Sequence, residues 1–431
     1  WSTPVNPQTL GALSPSSSLM YSNDGTQWVA ASKTSNMIVG SGYIVRAPDN
    51  YSFSTKQVFP AVFTGVPNNG DIVGEPLLAD RSYVIGNPYP CALSADMLLE
   101  ANKMLDGTIY FWTHNTPQNL GAVSQYTPDD YAAYNTSGGV ATSAKSDPLH
   151  SDNPANDNGK KPTGKIAAGQ GFYVGTNLSG NVKFTNLMRL GASDNTQFFK
   201  PGAAGAIEKN RIWLNMTNTD GVFKQLLVSY IEGATNDYEN RYDGLSFNAN
   251  PYLDFYSVGN NVNYVIQGRA LPFVDTDIVP LGYETTIKGE FTISIDEVDG
   301  KMSNQAIYLE DKMTGEIHDL RTSDYTFKTE IGTFVDRLVL RYTGRSLGTG
   351  DFENLENGIL VSVKNKVINV LSSKENIKEV TIFDVSGKLL YNKKKVGNTE
   401  LQLQNLPLGD QVLLVKVTLE NDFTITKKIV F

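Results

Sequence analysis

Residues 379–395 read EVTIFDVSGKLLYNKKK, and residues 400–431 read ELQLQNLPLGDQVLLVKVTLENDFTITKKIVF. Both are filled by short runs in which apolar and polar side chains alternate, the period of a half-buried strand. Between two runs, Val385, Ser386, Gly387 and Lys388 form a tight turn behind Asp384; Gly387 supplies backbone geometry that a side chain would strain. Leu401 and Leu403 alternate onto one strand face, ahead of a corner at Leu406, Pro407 and Gly409. The last strand carries Lys427, Lys428, Ile429, Val430 and Phe431, and lysine on an exposed terminal edge discourages unwanted pairing. The reading is a small all-β module over 358–431, of about five to seven short strands.

Charge marks where that module begins. Residues 358–431 hold eleven Lys, no Arg and seven acids, a balance of +4, which leaves −13 of the total −9 on residues 1–357. The switch predicts a boundary near residue 350, and 346–357 reads as a polar, flexible linker. An acidic body argues against nucleic acid as a partner, because phosphate binding needs clustered cations.

Upstream, 205–345 reads as an antiparallel β-sandwich. Its strands include Arg211–Asn215, Lys224–Tyr230, Tyr264–Gln267, Glu290–Ile295, Ala306–Glu310 and Arg337–Tyr342, punctuated by Asp-Gly and Thr-Gly turns. Residues 1–204 read as a β-rich domain with strands at Gln27–Ala30, Gly42–Arg46, Arg81–Ile85, Thr108–Trp112 and Gly171–Val174. One short helix interrupts it near 94–105, capped by Ser94, with Asp96 in its first turn and Gly107 just past its end. Residues 135–165, rich in Gly, Ser, Asp, Asn and Pro, read as one long surface loop. The fold class is therefore all-β, with tandem β-sandwich modules ahead of the small C-terminal one.

At 431 residues, with 21 Tyr and 19 Phe, the chain can build two or three domains with sizeable cores. Cys91 is the single cysteine, so neither an internal disulfide nor a cysteine-based zinc site is possible, and it reads as a small buried hydrophobe. No run approaches the ~18 apolar residues of a membrane helix, so the chain reads as not itself membrane-spanning.

The tail resembles the C-terminal sorting domain by which Bacteroidota proteins leave through the type IX secretion system. The matching positions are Asp384, Gly387, Leu401, Leu403, Leu406, Pro407, Gly409, Lys427, Lys428, Val430 and Phe431, and the resemblance covers 358–431, about a sixth of the chain. It implies a small immunoglobulin-like sandwich, recognised in the periplasm by the translocon barrel of the outer membrane and a PorV-like shuttle protein, and a secreted or cell-surface destination. The tail departs from many members in lacking a Tyr-Pro-Asn-Pro opening; 353–366 stands in its place. The body resembles the stretch found before such tails in large flavobacterial surface proteins, through Ile85–Pro90, Gly107–Thr113, Ala168–Phe172 and Ile307–Lys312 followed by Asp319 and Leu320. This implies a surface or adhesin role, with gliding motility as its setting. Beginning at Trp1, the chain reads as the C-terminal part of a longer exported protein.

Catalytic signatures are scarce. His114, His150 and His318 stand far apart, and no nucleophile elbow, zinc-protease motif or phosphate loop occurs. Acid pairs such as Asp129/Asp130 and Asp275/Asp277 read as solvated turn residues, and no cofactor is expected. Asp296–Gly300 and Ser151–Gly159 offer oxygen ligands for calcium, although Asx turns account for the same residues. Trp112, Tyr126, Tyr131 and Tyr134 could stack on surface polysaccharide. The expectation is a non-catalytic, exported surface protein, with a carbohydrate-binding region of a polysaccharide-degrading enzyme as the alternative.

Overall fold

A computed structural model describes residues 1–13, 19–45, 60–113, 130–142, 161–191, 207–247, 250, 252–344, 358–364, 366–373, 375–404, 406, 409 and 411–431. It is all-β in several stacked sheets, as expected, and divides into two compact units, Trp1–Gly344 and Arg345–Phe431. The predicted linker, 346–357, lies outside the described residues.

The first unit is built on two sheets. A five-stranded sheet runs in the order Gly138–Val140, Tyr131–Asn135, Leu105–Trp112, Gly171–Thr176, Arg81–Gly86. The helix Ala95–Ala101 packs on one of its faces, with Leu98 and Leu99 meeting Ile109, Phe111, Phe172 and Val174. Ser94 caps it as predicted, accepting from the Met97 amide at 3.3 Å. The helix stops before the predicted Leu105 because Asn102 leaves the spiral. Its amide donates to the Leu98 and Lys183 carbonyls at 2.8 and 2.9 Å, and its oxygen accepts from the Lys183 amide at 2.7 Å. Gly107 sits inside the next strand rather than behind a helix. A second short helix, Leu10–Leu13, had no counterpart in the sequence reading.

The stretch predicted as a sandwich takes another form. Ten strands from Lys209 to Arg341 follow one path and curl into a near-closed barrel, with Gly244–Leu245 as an extra pair off that path. Register shifts at Trp213/Leu214 and between Leu281 and Tyr283 mark bulges, which bend strands and let a single sheet wrap its own core. Phe223–Ile231 and Val262–Arg269 pair in parallel, so the sheet is not purely antiparallel. Inside lie fully buried side chains such as Leu214, Leu226, Phe255, Tyr283 and Phe291.

No boundary between compact units falls at 204/205. The hairpin Tyr131–Val140 explains why. Its Val140 and Ala133 share a buried cluster with Trp213, Leu227 and Ile266 of the barrel, and the Trp213 indole donates to the Gly139 carbonyl at 2.8 Å. Residues 135–142 were expected to open a surface loop; instead Asn135, Thr136 and Ser137 form a buried turn, with the Ser137 hydroxyl donating to Tyr242 O at 2.7 Å. Polar composition misled because most of these groups find partners inside the protein rather than in water: the Thr136 amide donates to the Arg241 carbonyl and the Ser137 amide to Asn135 Oδ1, while Asn135 Nδ2 is buried without a partner among the described residues. Residues 143–160 of that predicted loop lie outside the described residues.

The second unit packs a three-stranded sheet (Ile359–Lys364, Val367–Ser372, Glu400–Leu403) against a four-stranded one (Leu389–Asn398, Ile377–Asp384, Val412–Leu419, Thr424–Val430). Ile368, Val370 and Leu403 from the first meet Val380, Ile382, Val415 and Val417 from the second. Seven strands fit the predicted range, and Thr424–Val430 is an edge of its sheet.

Candidate functional site

The two faces of the five-stranded sheet meet different surroundings. One is sealed by the helix. From the other project Tyr110 and Trp112, two residues apart on one strand; Tyr131 stands directly across from Trp112, and Tyr173 across from Tyr110. Opposite them lies a smaller sheet, Met20–Asn23 with Trp28–Ala30 and Ile44–Val45. Its register places Tyr21, Trp28 and Ile44 on a common face. Phe247 supplies a further side, its ring 5.1 Å from that of Tyr110. These residues, with Ser82, Asp106 and Gly175, line a cleft of about 650 Å³. That lies within the roughly 300–1,000 Å³ of ordinary small-ligand sites.

The cleft is open rather than sealed: Trp28 is 41% exposed and Phe247 63%. Tyr131 and Tyr173 lie ring to ring at 5.9 Å. Burial pushes the Tyr131 phenol up to about 12 and the Tyr110 phenol well above its ordinary range, so both stay neutral at physiological pH. Asp106 is the one carboxylate among the described lining residues. Burial pushes its pKa up, against backbone donors at Thr108 (3.0 Å) and Gly175. Gly175 leaves it room: a Cβ there would come within 2.2 Å of Asp106 Oδ2. A narrower recess of about 40 Å³, lined in part by the same Tyr110, Tyr131 and Phe247, reaches Lys224, whose Nζ is 3.2 Å from Asp254.

Of the four aromatics singled out in the sequence, Trp112 and Tyr131 meet in this cleft. Tyr134 does not. It is 5% exposed on the helix side, with its hydroxyl donating to Asp96 at 2.9 Å. Tyr131 and Tyr134 are three residues apart, and an odd separation on a strand sends side chains to opposite faces. Tyr126 lies outside the described residues, as do His114, His150, Asp129 and Ser151–Gly159. The other calcium candidate is occupied by the protein's own cations, with Asp296 2.6 Å from Lys161 Nζ and Asp299 held by the Arg211 guanidinium. Among the described residues, no three His, Cys, Asp or Glu gather in a metal-holding group. Cys91 is only half-buried and receives the Arg189 Nε at 3.2 Å, a polar contact that a purely apolar reading of it had not included. Tyr21, Trp28, Tyr110, Tyr173, Phe247 and Asp106 were missed by the sequence reading.

The tail residues gather at one end of the second unit. Asp384 pairs across strands with Leu413, and Leu413 with Ile429, so the turn after Asp384 and the chain's last residues share a sheet end. The corner carrying Leu406 and Gly409 leads from Leu403 into Val412 at that same end. Asp384 Oδ1 accepts from the amides of Ser386 (2.8 Å) and Lys388 (3.0 Å), and Gly387 adopts φ +85°. Leu403 is buried and Leu401 half-buried on one face, while Lys428 and Val430 are exposed and Phe431 is buried. Pro407 lies outside the described residues.

Residues 1–342 match the family described as Domain of unknown function (DUF8693). The match spans well over half of the sequence. The chain belongs to the DUF8693 family. Behind the DUF8693 region, residues 347–431 match a second family, Domain of unknown function (DUF8694). No curated protein matches the chain. No described helix is long and apolar enough to cross a membrane.

Proposed function

We propose that the DUF8693 region is a glycan-binding module of an exported, surface-associated protein, and that the DUF8694 tail is its export address. The observation that carries the first half is the aromatic cleft. Sugar rings present flat C–H faces that settle on Trp and Tyr platforms, while their hydroxyl rims need a few placed polar groups. The cleft offers both, in Trp112, Tyr131 and Trp28 against Asp106 and Ser82. Such binding serves adhesion directly and needs no catalysis. The test is a glycan array probed with the full chain, followed by calorimetry on the best ligand. Trp112→Ala and Tyr131→Ala should each cut affinity at least tenfold without lowering the melting temperature by more than a few degrees. Unchanged affinity in both variants would rule the cleft out.

The tail's role is supported by the gathering of its turn, corner and last residues at one end, beside an edge strand that a receptor could extend by strand addition. In this reading its two packed sheets are an immunoglobulin-like sorting domain that engages the translocon barrel and a PorV-like shuttle. Removing 358–431 should then strand the protein in the periplasm; secretion at the normal level without those residues would sink the idea.

A further inference from the structure

We infer that the cleft selects glycans carrying a free amine, with Asp106 as the counter-ion of that amine. The inference rests on the glycan reading above and deepens it. Asp106 is conspicuous for what it lacks. Four other carboxylates of the same unit each hold a cation: Asp311 with Arg337 at 2.6 Å, Asp277 with Arg269 at 2.7 Å, Asp296 with Lys161 at 2.6 Å, Asp254 with Lys224 at 3.2 Å. Asp106 pairs with no cationic side chain among the described residues; its partners there are the Thr108 and Gly175 amides. Two backbone donors leave a carboxylate acceptor capacity to spare.

Its surroundings make the gap chemically specific. A half-buried carboxylate facing a cleft is poorly solvated, and an incoming cation relieves it far more than a neutral hydroxyl does. The ring faces of Tyr110, Trp112, Tyr131 and Tyr173 add the electron-rich surface that attracts ammonium groups. Gly175 keeps the approach to the carboxylate free of a side chain. An oligosaccharide of hexosamines with unsubstituted amines satisfies both halves of the site, its ring faces on the aromatics and one amine on Asp106. N-acetylation removes the charge and adds bulk at that amine.

Calorimetry on the full chain with three oligosaccharides of equal length and linkage tests this: β-1,4-glucosamine, β-1,4-N-acetylglucosamine and β-1,4-glucose. The wild type should bind the amine form at least tenfold more tightly than the other two, a difference of about 1.4 kcal/mol. Asp106→Asn should erase that preference, bringing the affinity for the amine form to within twofold of the affinities of the same variant for the acetylated and neutral forms. The three-ligand comparison on the wild type stands even if Asp106→Asn folds poorly. Equal affinities in the wild type, tighter binding of the acetylated form, or a preference that survives in a folded Asp106→Asn overturns the amine inference. The glycan reading survives those results if Trp112→Ala still abolishes binding. If none of the three oligosaccharides nor any arrayed glycan binds, the glycan reading falls and takes the amine inference with it.

Discussion

Replacing Arg337 by Met should destabilise the first unit by about 3–5 kcal/mol, the cost of leaving a buried charge without its partner. Asp311 has no exposed side-chain surface, and Arg337 has 5%. The guanidinium grips the carboxylate through Nε at 3.0 and 3.1 Å and a second nitrogen at 2.6 Å, while its remaining nitrogen donates to Tyr283 Oη and Lys328 O, both at 3.1 Å. Tyr325 adds a hydroxyl donor to Asp311 at 3.0 Å. These bonds join Tyr308–Asp311 and Gly332–Arg341 to Tyr325–Thr329, a strand at the far end of the sheet path, so side chains span the gap that backbone pairing leaves in the barrel. Burial alone would push the Asp311 pKa up, but Arg337 and the other donors outweigh it and hold it below its ordinary 3.8. The pair's stability is thus present above pH 3.8 and lost as pH falls through the lower folded value. Urea unfolding read by tryptophan fluorescence isolates the effect, since Trp1, Trp28, Trp112 and Trp213 all lie in the first unit and none in the second. Asp311→Leu combined with Arg337→Met should recover most of the loss, because no unpaired charge remains. A single-variant cost below about 1 kcal/mol, or a double variant as unstable as the single, would show that this network does not hold the barrel shut.

Tyr134→Phe removes one hydrogen bond, to Asp96, and should cost about 1 kcal/mol of stability while leaving glycan affinity unchanged; a loss of affinity would place Tyr134 in the site after all. Burial pushes Asp243 up to about 6 from 3.8, so its contribution is full below 3.8 and lost as pH rises through 6. Stability should fall by about 3 kcal/mol across that window from this group, and the urea midpoint of Asp243→Asn should vary less between pH 4 and 7 than that of the wild type. Gly387→Val forces a branched side chain to φ +85°, which should lower the calorimetric melting of the second unit by the equivalent of about 1–3 kcal/mol, with the tryptophan transition unmoved.

Local pattern made the strands, the capped helix and the tail's turn legible, because each is decided by neighbours a few residues apart. The cleft was half legible. Trp112 and Tyr131 stood out as aromatics, and the even spacing of Tyr110 and Trp112 already placed them on one face; the odd spacing of Tyr131 and Tyr134 should have separated those two. Tyr21, Trp28 and Phe247 could not be found this way, since they reach the cleft from strands and a loop distant in sequence. Asp106 carried no signal at all: one acid among 45 becomes distinctive only when burial removes its water and no cationic side chain among the described residues replaces it. The same non-local logic governs the hairpin Tyr131–Val140, whose turn reads as the start of a polar loop and is instead buried, with Val140 and Ala133 packed in one cluster with Trp213, Leu227 and Ile266.

A cleft of this size, open beside Trp28 and Phe247, holds water when no ligand is in it. A dry void costs about 24 cal/mol per Å³, so 650 Å³ left empty would consume about 15 kcal/mol, as much as the whole stability of a typical domain. The space must therefore be filled by water or by a ligand. Its walls suit that alternation. Tyr and Trp carry a polar atom at one end and tolerate water at the rim, where a wall of Leu and Ile would collapse onto itself. In the proposed reading, rings held apart by two separate sheets, with Asp106 and Gly175 in the same lining, gain by exchanging that water for a flat, cation-bearing partner. Xenon soaking offers a direct check on the physical premise. A hydrated cleft excludes it, and xenon found there would mean that the space behaves as a dry apolar cavity.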